Sequence, residues 1–257
     1  MRFLGVDLAW KDGNPSGLAL LGGQKFPLHL REVPHTASSH ADVRAWIARH
    51  VRFHRAAVGV DAPLLGLGDP PVRRECDDAV SRSFGRYHAS THSPSRFPHL
   101  AKFTGQLIRD FELDCFAPSW KPLAGRPAIR EVYPNALQVM LFRLNRKTGL
   151  KILKYKQGRF SSKELWVKKG LRPFIDALMD VIADRWVVAS GKEWTGLLAR
   201  RPSPAMPVSA IKEIEDSWDA LLCSLAVALE FNAIGTMRPY PDHPHDWRRG
   251  YILAPDI

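Results

Sequence analysis

Two apolar runs of this sequence end on an aspartate. Asp7 closes the run that begins at Arg2, and Asp61 closes the run that begins at Ala56. An ionised carboxylate beside apolar residues is costly unless it meets a cation or strong hydrogen-bond donors, and a bound metal is one common solution. Sites in open α/β sheets collect at the carboxyl ends of the strands. We therefore expect Asp7 and Asp61 to be functional carboxylates.

A helix near the end of the chain carries two further acids. Asp216 and Asp219 are three residues apart, a spacing that places both carboxylates on one helix face. Asp219 also lies beside the apolar stripe of that helix, which consists of Ile214, Trp218, Leu221, Leu222 and Leu225. The alternative is that acids in the first turns only complement the helix dipole, and it applies better to Asp216 than to Asp219.

Acids at three separate places in the chain are suitable ligands for a hard divalent cation. Mg²⁺ and Mn²⁺ prefer oxygen ligands and often keep waters and substrate phosphates in their coordination shell. Two such ions about 3.5–4 Å apart can activate a water and stabilise the leaving oxygen of a phosphodiester. The sequence therefore predicts Mg²⁺ or Mn²⁺ as the cofactor, provided that these acids meet in the fold.

Glu131 lies near the end of another short strand and has two interpretations. It could be a further ligand or a general base of the same site. It could equally pair with an arginine, either Arg130 or one from residues 62–127. Both interpretations stay open at the level of sequence.

The charge of the chain favours a polyanionic partner. The 257 residues carry a formal net charge of +11, and Lys and Arg that neutralise phosphates release condensed counterions. Much of this charge lies in one segment, where only Glu164 opposes Arg143, Arg146, Lys147, Lys151, Lys154, Lys156, Arg159, Lys163, Lys168, Lys169 and Arg172. The alternative is a basic surface that serves solubility.

Part of this segment resembles a nucleic-acid contact surface. Lys154, Tyr155, Lys156 and Arg159 interleave cations with an aromatic ring, as a surface that follows phosphates and stacks bases would. A solvated basic helix face is the alternative. Arg86 is a further candidate for substrate contact, in a stretch crowded with Arg, His and Pro.

Other chemistry has less support. His88 and His92 are four residues apart, which on a helix would suit zinc, but Gly85 and Pro94 disfavour a helix and no third ligand is evident. We therefore expect loop histidines. The motifs G-x-x-x-x-G-K-[ST] and G-x-S-x-G are absent, which removes the simplest NTPase and hydrolase interpretations.

The cysteines and the apolar runs bear on the compartment. Cys76, Cys115 and Cys223 are isolated, which fits neither a zinc knuckle nor a secreted disulfide framework. No signal peptide fits the start, and no apolar stretch is long enough to span a bilayer. We expect a cytoplasmic protein without membrane contact.

The elements that must position these residues follow from apolar periodicity. Strands are predicted at 2–9, 16–22, 28–33, 56–61 and 128–134, with a closing strand at 249–254. Helices are predicted from a cap at Ser38 or Ser39 to Val51, over 135–144 and over 211–231. The length favours one elaborated domain with its core at 1–61, 128–145 and 209–257. Two basic insertions, 62–127 and 146–208, interrupt it and carry helices near 72–82, 100–112, 161–169 and 173–186.

Five short motifs, spread in order over nearly the whole chain, resemble a known family. They are Gly5-Val6-Asp7-Leu8-Ala9-Trp10, Val58-Gly59-Val60-Asp61-Ala62-Pro63, Glu131-Val132-Tyr133-Pro134, Lys154-Tyr155-Lys156 and Asp216-Ser217-Trp218-Asp219-Ala220-Leu221. The chain is similar to the family of unknown function number 429, described as predicted nucleases. That family belongs to the ribonuclease H-like superfamily, which includes the Holliday-junction resolvases.

The resemblance implies both a fold and a site. The fold is α/β, with a ribonuclease H-like five-stranded mixed sheet whose first three strands are antiparallel, flanked by helices. The site is a two-metal carboxylate centre in which Asp7 bridges the ions, Asp61 follows the fourth strand, and Asp219 or Asp216 lies on the final helix. Asp7, Asp61 and Asp219 are thus the expected metal ligands. Many enzymes of the superfamily carry Glu as the second acid, so Asp61 has a shorter arm.

The resulting hypothesis is a Mg²⁺- or Mn²⁺-dependent nuclease that hydrolyses phosphodiester bonds of DNA or RNA. A non-catalytic nucleic-acid-binding protein on the same fold is the alternative. An actin-like nucleotide-binding phosphotransferase ranks last, because actin-like proteins duplicate the core and no second Gly-x-Asp hairpin is present. The oligomeric state is open.

Overall fold

A mixed β-sheet forms the centre of the protein. The computed structural model describes residues 1–51, 55–66, 72–91, 98–116, 126–145, 151–232, 236–242 and 246–257. The strands of this sheet are β1 (Arg2–Asp7), β2 (Ser16–Gly22), β3 (His29–Leu30), β4 (His35–Ala37), β5 (Ala56–Val60) and β6 (Ala128–Glu131). Their order is β3-β2-β1-β5-β6, and β4 also pairs with β2. A separate two-stranded sheet joins β7 (Met237–Tyr240) to β8 (Ile252–Pro255).

Three neighbouring strands of the main sheet run in the same direction. β1 is antiparallel to β2 but parallel to β5, and β5 is parallel to β6. Val6 is in register with Val60, and Val60 with Glu131. Asp7 and Glu131 end β1 and β6, and Asp61 directly follows β5. All three therefore lie along the edge formed by the carboxyl ends of these parallel strands. The expected α/β class and mixed sheet are confirmed.

Helices cover both faces of the sheet. The helices are α1 (His40–Val51), α2 (Glu75–Phe84), α3 (Pro98–Asp110), α4 (Pro134–Leu141), α5 (Lys163–Leu165), α6 (Arg172–Ile182), α7 (Lys192–Ala199) and α8 (Val208–Asn232), and a π-helical segment over Trp166–Leu171 joins α5 to α6. Side chains of a strand alternate between faces. Phe3 packs with α8 and α6 on one face, whereas Leu4 and Val6 pack with α1 and α3 on the other.

α8 lies unusually close to the sheet because three glycines face it. A Cβ atom added at Gly5 would overlap the carbonyl oxygen of Ala220, and one at Gly59 would overlap that of Cys223. A Cβ at Gly17 would overlap the carbonyl oxygen of Asp216. Gly17 is the cross-strand partner of Asp7. This close approach sets the start of the acidic segment of α8 beside the end of β1.

The structure differs from the predicted elements in several places. The predicted third strand, 28–33, is shortened to β3, and a further strand, β4, follows it, so the main sheet has six strands rather than the expected five. Neither α7 nor β7 is predicted. The closing strand exists as β8, which pairs with β7 and joins the main sheet only by a single parallel bridge from Leu253 to Val132, the residue after β6. Much of 146–208 packs against the sheet, since Trp166 and Phe174 are buried with Phe3. Among the described residues, no helix is long and apolar enough to cross a bilayer.

Candidate metal centre

Three of the predicted acids meet in space. Asp7, Asp216 and Asp219 each offer one carboxylate oxygen, and these oxygens lie within 4.8 Å of one another. Oxygens bound to a single Mg²⁺ at about 2.1 Å are at most about 4.2 Å apart, so small side-chain rotations would suffice for three ligands. Asp216 and Asp219 are buried, whereas the Asp7 side chain is 15% exposed. The arrangement can hold a divalent cation with one side open to solvent.

Asp61 lies beside this trio but is not part of it. Its backbone N–H donates to the carbonyl of Val6 at 2.9 Å, which fixes it at the same sheet edge as Asp7. Burial, followed by the charges of Asp7 and Asp219, raises the pKa of the Asp61 carboxyl well above its ordinary value. Of the expected ligands Asp7, Asp61 and Asp219, the structure brings Asp7 and Asp219 into the close group and leaves Asp61 beside it. Asp216 completes the close group.

Two lysines already contact the acids. Lys156 Nζ forms an ion pair with Asp219 Oδ2 and lies 3.6 Å from Glu215 Oε1 and 4.0 Å from Asp7 Oδ2. Lys212 Nζ contacts Asp216 Oδ1 and donates to Glu215 Oε1 at 2.8 Å. With Asp61, five carboxylates thus surround two ammonium groups. The two lysines therefore neutralise part of the negative charge of this cluster.

Glu215 is a buried acid of the cluster that the sequence analysis missed. It is 1% exposed, and its Oε2 atom has no hydrogen-bond partner among the described residues. A buried carboxylate oxygen without a partner is costly. Lys212 and Asp219 are each three or four residues from both Glu215 and Asp216, so all four lie on one side of α8. That spacing is the signal that could have identified both Glu215 and Lys212.

Tyr155 is buried next to Asp219, which corrects its expected role in stacking on bases. The hydroxyl donates to Asp219 Oδ1, and the ring is 1% exposed and stacked on Phe174 at 3.8 Å between centroids. Trp166 Nε1 donates to the Tyr155 carbonyl at 2.7 Å. A ring buried in this way cannot stack on a nucleic-acid base. Tyr155 instead holds one oxygen of Asp219 in place.

The charges of the cluster shift its acid–base equilibria. Burial raises the pKa of Asp219 to about 6, although Lys156 partly offsets it. Burial and the charge of Asp7 raise the pKa of Asp216 to about 8 despite Lys212. For Lys156, burial disfavours the charge, but Asp219 and Asp7 outweigh it and hold the pKa well above its usual value. A metal that binds near neutral pH would therefore release protons from these carboxyls.

Glu131 has the second of its two predicted roles. Arg74, from residues 62–127, donates to Glu131 Oε2 at 2.8 Å and to Oε1 at 2.5 Å, and the Leu64 N–H donates to Oε2 at 2.9 Å. Arg130 does not contact it and pairs with Glu230 at 2.9 Å. Both oxygens of Glu131 are thus satisfied by protein donors, outside the acid trio.

The remaining substrate-binding candidates occupy different positions. Lys154 Nζ donates to the His88 carbonyl at 2.6 Å, and Arg159 is exposed. Burial, followed by the charge of Arg159, lowers the pKa of Lys154. Arg86 is exposed over the ring of Tyr87, 4.7 Å from its centroid. The predictions for His92, Arg146 and Lys147 concern residues outside the described part of the chain.

Comparisons with known proteins found no match to this chain. No protein-family model matches the chain, nor does any curated protein or any solved structure. The family resemblance of the five motifs stays a prediction.

Proposed function

We propose that this protein is a Mg²⁺- or Mn²⁺-dependent nuclease with a ribonuclease H-like core. The observation that carries the proposal is the convergence of Asp7, Asp216 and Asp219, which come from the central strand and from the helix packed against it. The strand order, with an antiparallel β1–β2 pair at the centre and parallel β5 and β6 beside it, agrees with the fold that the motifs imply. Both features support the same site.

The chain's own residues would divide the work as follows. Asp7, Asp216 and Asp219 would hold a divalent ion, and Asp61, which follows β5 beside the end of β1, would help to hold a second. Such ions activate a water and stabilise the leaving oxygen of a phosphodiester. Tyr155 fixes Asp219 by donating to one of its oxygens. Because the Asp7 side chain is 15% exposed, a phosphate can approach the trio from solvent.

The proposed substrate is nucleic acid, either DNA or RNA. The net charge of +11 attracts a polyanion, and Lys154 and the exposed Arg159 belong to the same short segment that carries Lys156 into the site. Cations next to an acidic metal site would hold the phosphates that flank the cleaved bond, as neutralised phosphates release counterions. The substrate would therefore bind across the mouth of the acidic cluster.

The direct test replaces Asp7 by an isosteric neutral residue. In Mn²⁺, purified protein is mixed with branched, RNA–DNA hybrid and single-stranded substrates, and Asp7→Asn is expected to lower the cleavage rate at least about 100-fold by removing one charged ligand. Asp176→Asn is the matched control, because Asp176 is a half-exposed acid paired with Arg201. Equal cleavage by wild type and Asp7→Asn, or no Mn²⁺-dependent cleavage by wild type, would overturn the proposal.

A non-catalytic nucleic-acid-binding protein is the second candidate. The observation that favours it is that Lys156 and Lys212 already contact Asp219 and Asp216. Ammonium groups in that position reduce the need for a metal. This candidate predicts binding of the same substrates that does not depend on Mn²⁺, without cleavage.

A further inference from the structure

Lys156 enters the acidic cluster from a segment remote from α8 in sequence. Its Nζ pairs with Asp219 Oδ2 and lies 4.0 Å from Asp7 Oδ2 and 3.6 Å from Glu215 Oε1. Two of these three partners belong to the acid trio. One ammonium group therefore neutralises the oxygens that a divalent ion would need.

The oxygens of Asp219 are already in use. Tyr155 donates to Oδ1, and Lys156 takes Oδ2. A cation that binds between Asp7 and Asp219 would meet the ammonium group at the same oxygens. A divalent ion and an ammonium group held by the same oxygens repel each other, because both are positive and only a few ångströms would separate them. The metal and the Lys156 ammonium group therefore compete for one position.

The Lys156 side chain can move out of the acidic cluster without a change in its backbone. Its backbone follows Tyr155, which is buried, and Leu153 N–H donates to Gln138 Oε1 at 3.1 Å, so the preceding segment is fixed. The Lys156 side chain itself is 40% exposed. It can turn into solvent while the backbone stays in place.

Lys212 is held in a different way. It lies on α8 itself and contacts Glu215 and Asp216 at steps of three and four residues, which are the ordinary pairs of a helix surface. It makes no contact with Asp7 or Asp219 among the described residues. Lys156 is therefore the cation that joins the strand acid to the helix acid in the absence of metal.

We infer that Lys156 is an internal competitor of the metal: its ammonium group occupies the site in the metal-free protein and is displaced when a divalent ion binds. Lys156 would thereby set the metal concentration at which the site fills. The inference rests on the proposed function only in assigning a divalent cation to the trio of Asp7, Asp216 and Asp219.

The test measures Mn²⁺ binding without nucleic acid, by calorimetry and by electron paramagnetic resonance of free Mn²⁺. Lys156→Gln and Lys156→Met remove the charge and are expected to lower the dissociation constant at least about tenfold, because the repulsion disappears. Lys156→Arg keeps the charge and is expected to bind Mn²⁺ no more tightly than wild type. Lys168→Gln is the matched control and should stay within about twofold, because Lys168 is 55% exposed and paired with Glu164.

A thermal measurement guards against misfolded variants. The neutral variants leave Asp219 Oδ2 without its cation, so they should melt at a lower temperature in chelator and gain more from saturating Mn²⁺ than wild type does. Unchanged or weaker Mn²⁺ binding by both neutral variants, or no Mn²⁺ binding by any of the proteins, would overturn the inference.

The two proposals can fail separately. Tighter Mn²⁺ binding by Lys156→Gln without cleavage of any nucleic acid would support the competitor and refute the nuclease. Mn²⁺-dependent cleavage by wild type with unchanged Mn²⁺ affinity of Lys156→Gln would do the reverse.

Discussion

At the scale of single residues, the acids near the carboxyl ends of β1, β5 and β6 fall into two groups according to their partners. Asp7, Asp216 and Asp219 face one another, with lysines as their counter-charges. Glu131 faces Arg74, which contacts both of its oxygens. A carboxylate held by a bidentate arginine gains little from a metal, because its lone pairs already accept charge-assisted hydrogen bonds. The first group is therefore suited to ligand binding, and Glu131 to holding α2 against the sheet.

Replacement of Glu131 by Gln separates these roles. We expect Glu131→Gln to lower the free energy of unfolding by about 2–4 kcal/mol, because buried Arg74 loses a charged partner, while Mn²⁺ affinity stays within about twofold. Urea unfolding and calorimetry measure the two effects. Glu230→Gln is the control, since Glu230 is paired with buried Arg130 and should lose stability in the same way. A loss of Mn²⁺ affinity of about tenfold or more in Glu131→Gln alone would identify Glu131 as a ligand.

Sequence could predict where these acids lie but not which way they face. The apolar runs located Asp7, Asp61 and Glu131 at strand ends, and the structure has them at one edge. Facing depends on register, because a shift of one residue moves a side chain to the other side of the sheet. Glu131 is aligned with Val60, whose face is covered by α1 and α3. Asp7 is two residues after Gly5 on β1, so both face the same side of the sheet, which α8 covers.

The sequence places Lys156 on a nucleic-acid contact surface rather than in the acidic cluster, again because a local pattern does not determine what a side chain faces. Its neighbours in sequence are basic and polar, so local composition suggests solvent exposure. Its ion pair with Asp219 spans 63 residues and depends on how Tyr155 and Trp166 pack into the core. No local pattern encodes that contact.

At the scale of elements, α8 is the part that sequence predicts best. Its predicted span of 211–231 lies within the observed Val208–Asn232, because the helical period of apolar residues is sustained over many turns. Short elements such as β7 and α7 were missed because they have too few residues to show a period. The depth at which α8 sits on the sheet was also missed, since it depends on glycines of three different strands.

The glycine contact yields a prediction about the whole helix. Gly5→Ala places a methyl group against the Ala220 carbonyl and the Ser224 backbone, so α8 must move away from β1. We expect a loss of about 3 kcal/mol in the free energy of unfolding, together with weaker Mn²⁺ binding as Asp219 moves away from Asp7. Gly158→Ala is the matched control, because a Cβ at Gly158 meets nothing within 4 Å. Similar stability and similar Mn²⁺ affinity of the two variants would show that the close approach of α8 is not required.

At the scale of the whole molecule, the charge is divided. The chain is strongly basic, with a net charge of +11, yet a group of acids lies where β1, β5 and α8 meet. In the proposed function, the cations of the chain would attract a polyanion, while the acids would repel its phosphates until bound cations neutralise them. Metal and nucleic acid should therefore favour each other's binding, and each should raise the apparent affinity of the other by the same factor.

The same concentration of acids makes the stability of the molecule depend on pH and on metal. Unfolded aspartates titrate near 3.8, whereas the pKa values of Asp219 and Asp216 in the folded protein are about 6 and about 8. Between these limits the folded state binds more protons than the unfolded state, so stability falls as pH rises.

In chelator we expect the free energy of unfolding to fall by roughly 5 kcal/mol between pH 5 and pH 8, or the melting temperature by roughly 15 °C. Mn²⁺ should restore more stability at pH 8 than at pH 5, because its ligands must be deprotonated. Calorimetric melting at both pH values, with and without Mn²⁺, measures each effect. Asp216→Asn is the control and should flatten the fall in chelator, since it removes a group whose pKa is raised to about 8. An equally steep fall in Asp216→Asn would mean that the pH dependence arises elsewhere in the molecule, and equal Mn²⁺ stabilisation at both pH values would mean that the metal does not bind these carboxylates.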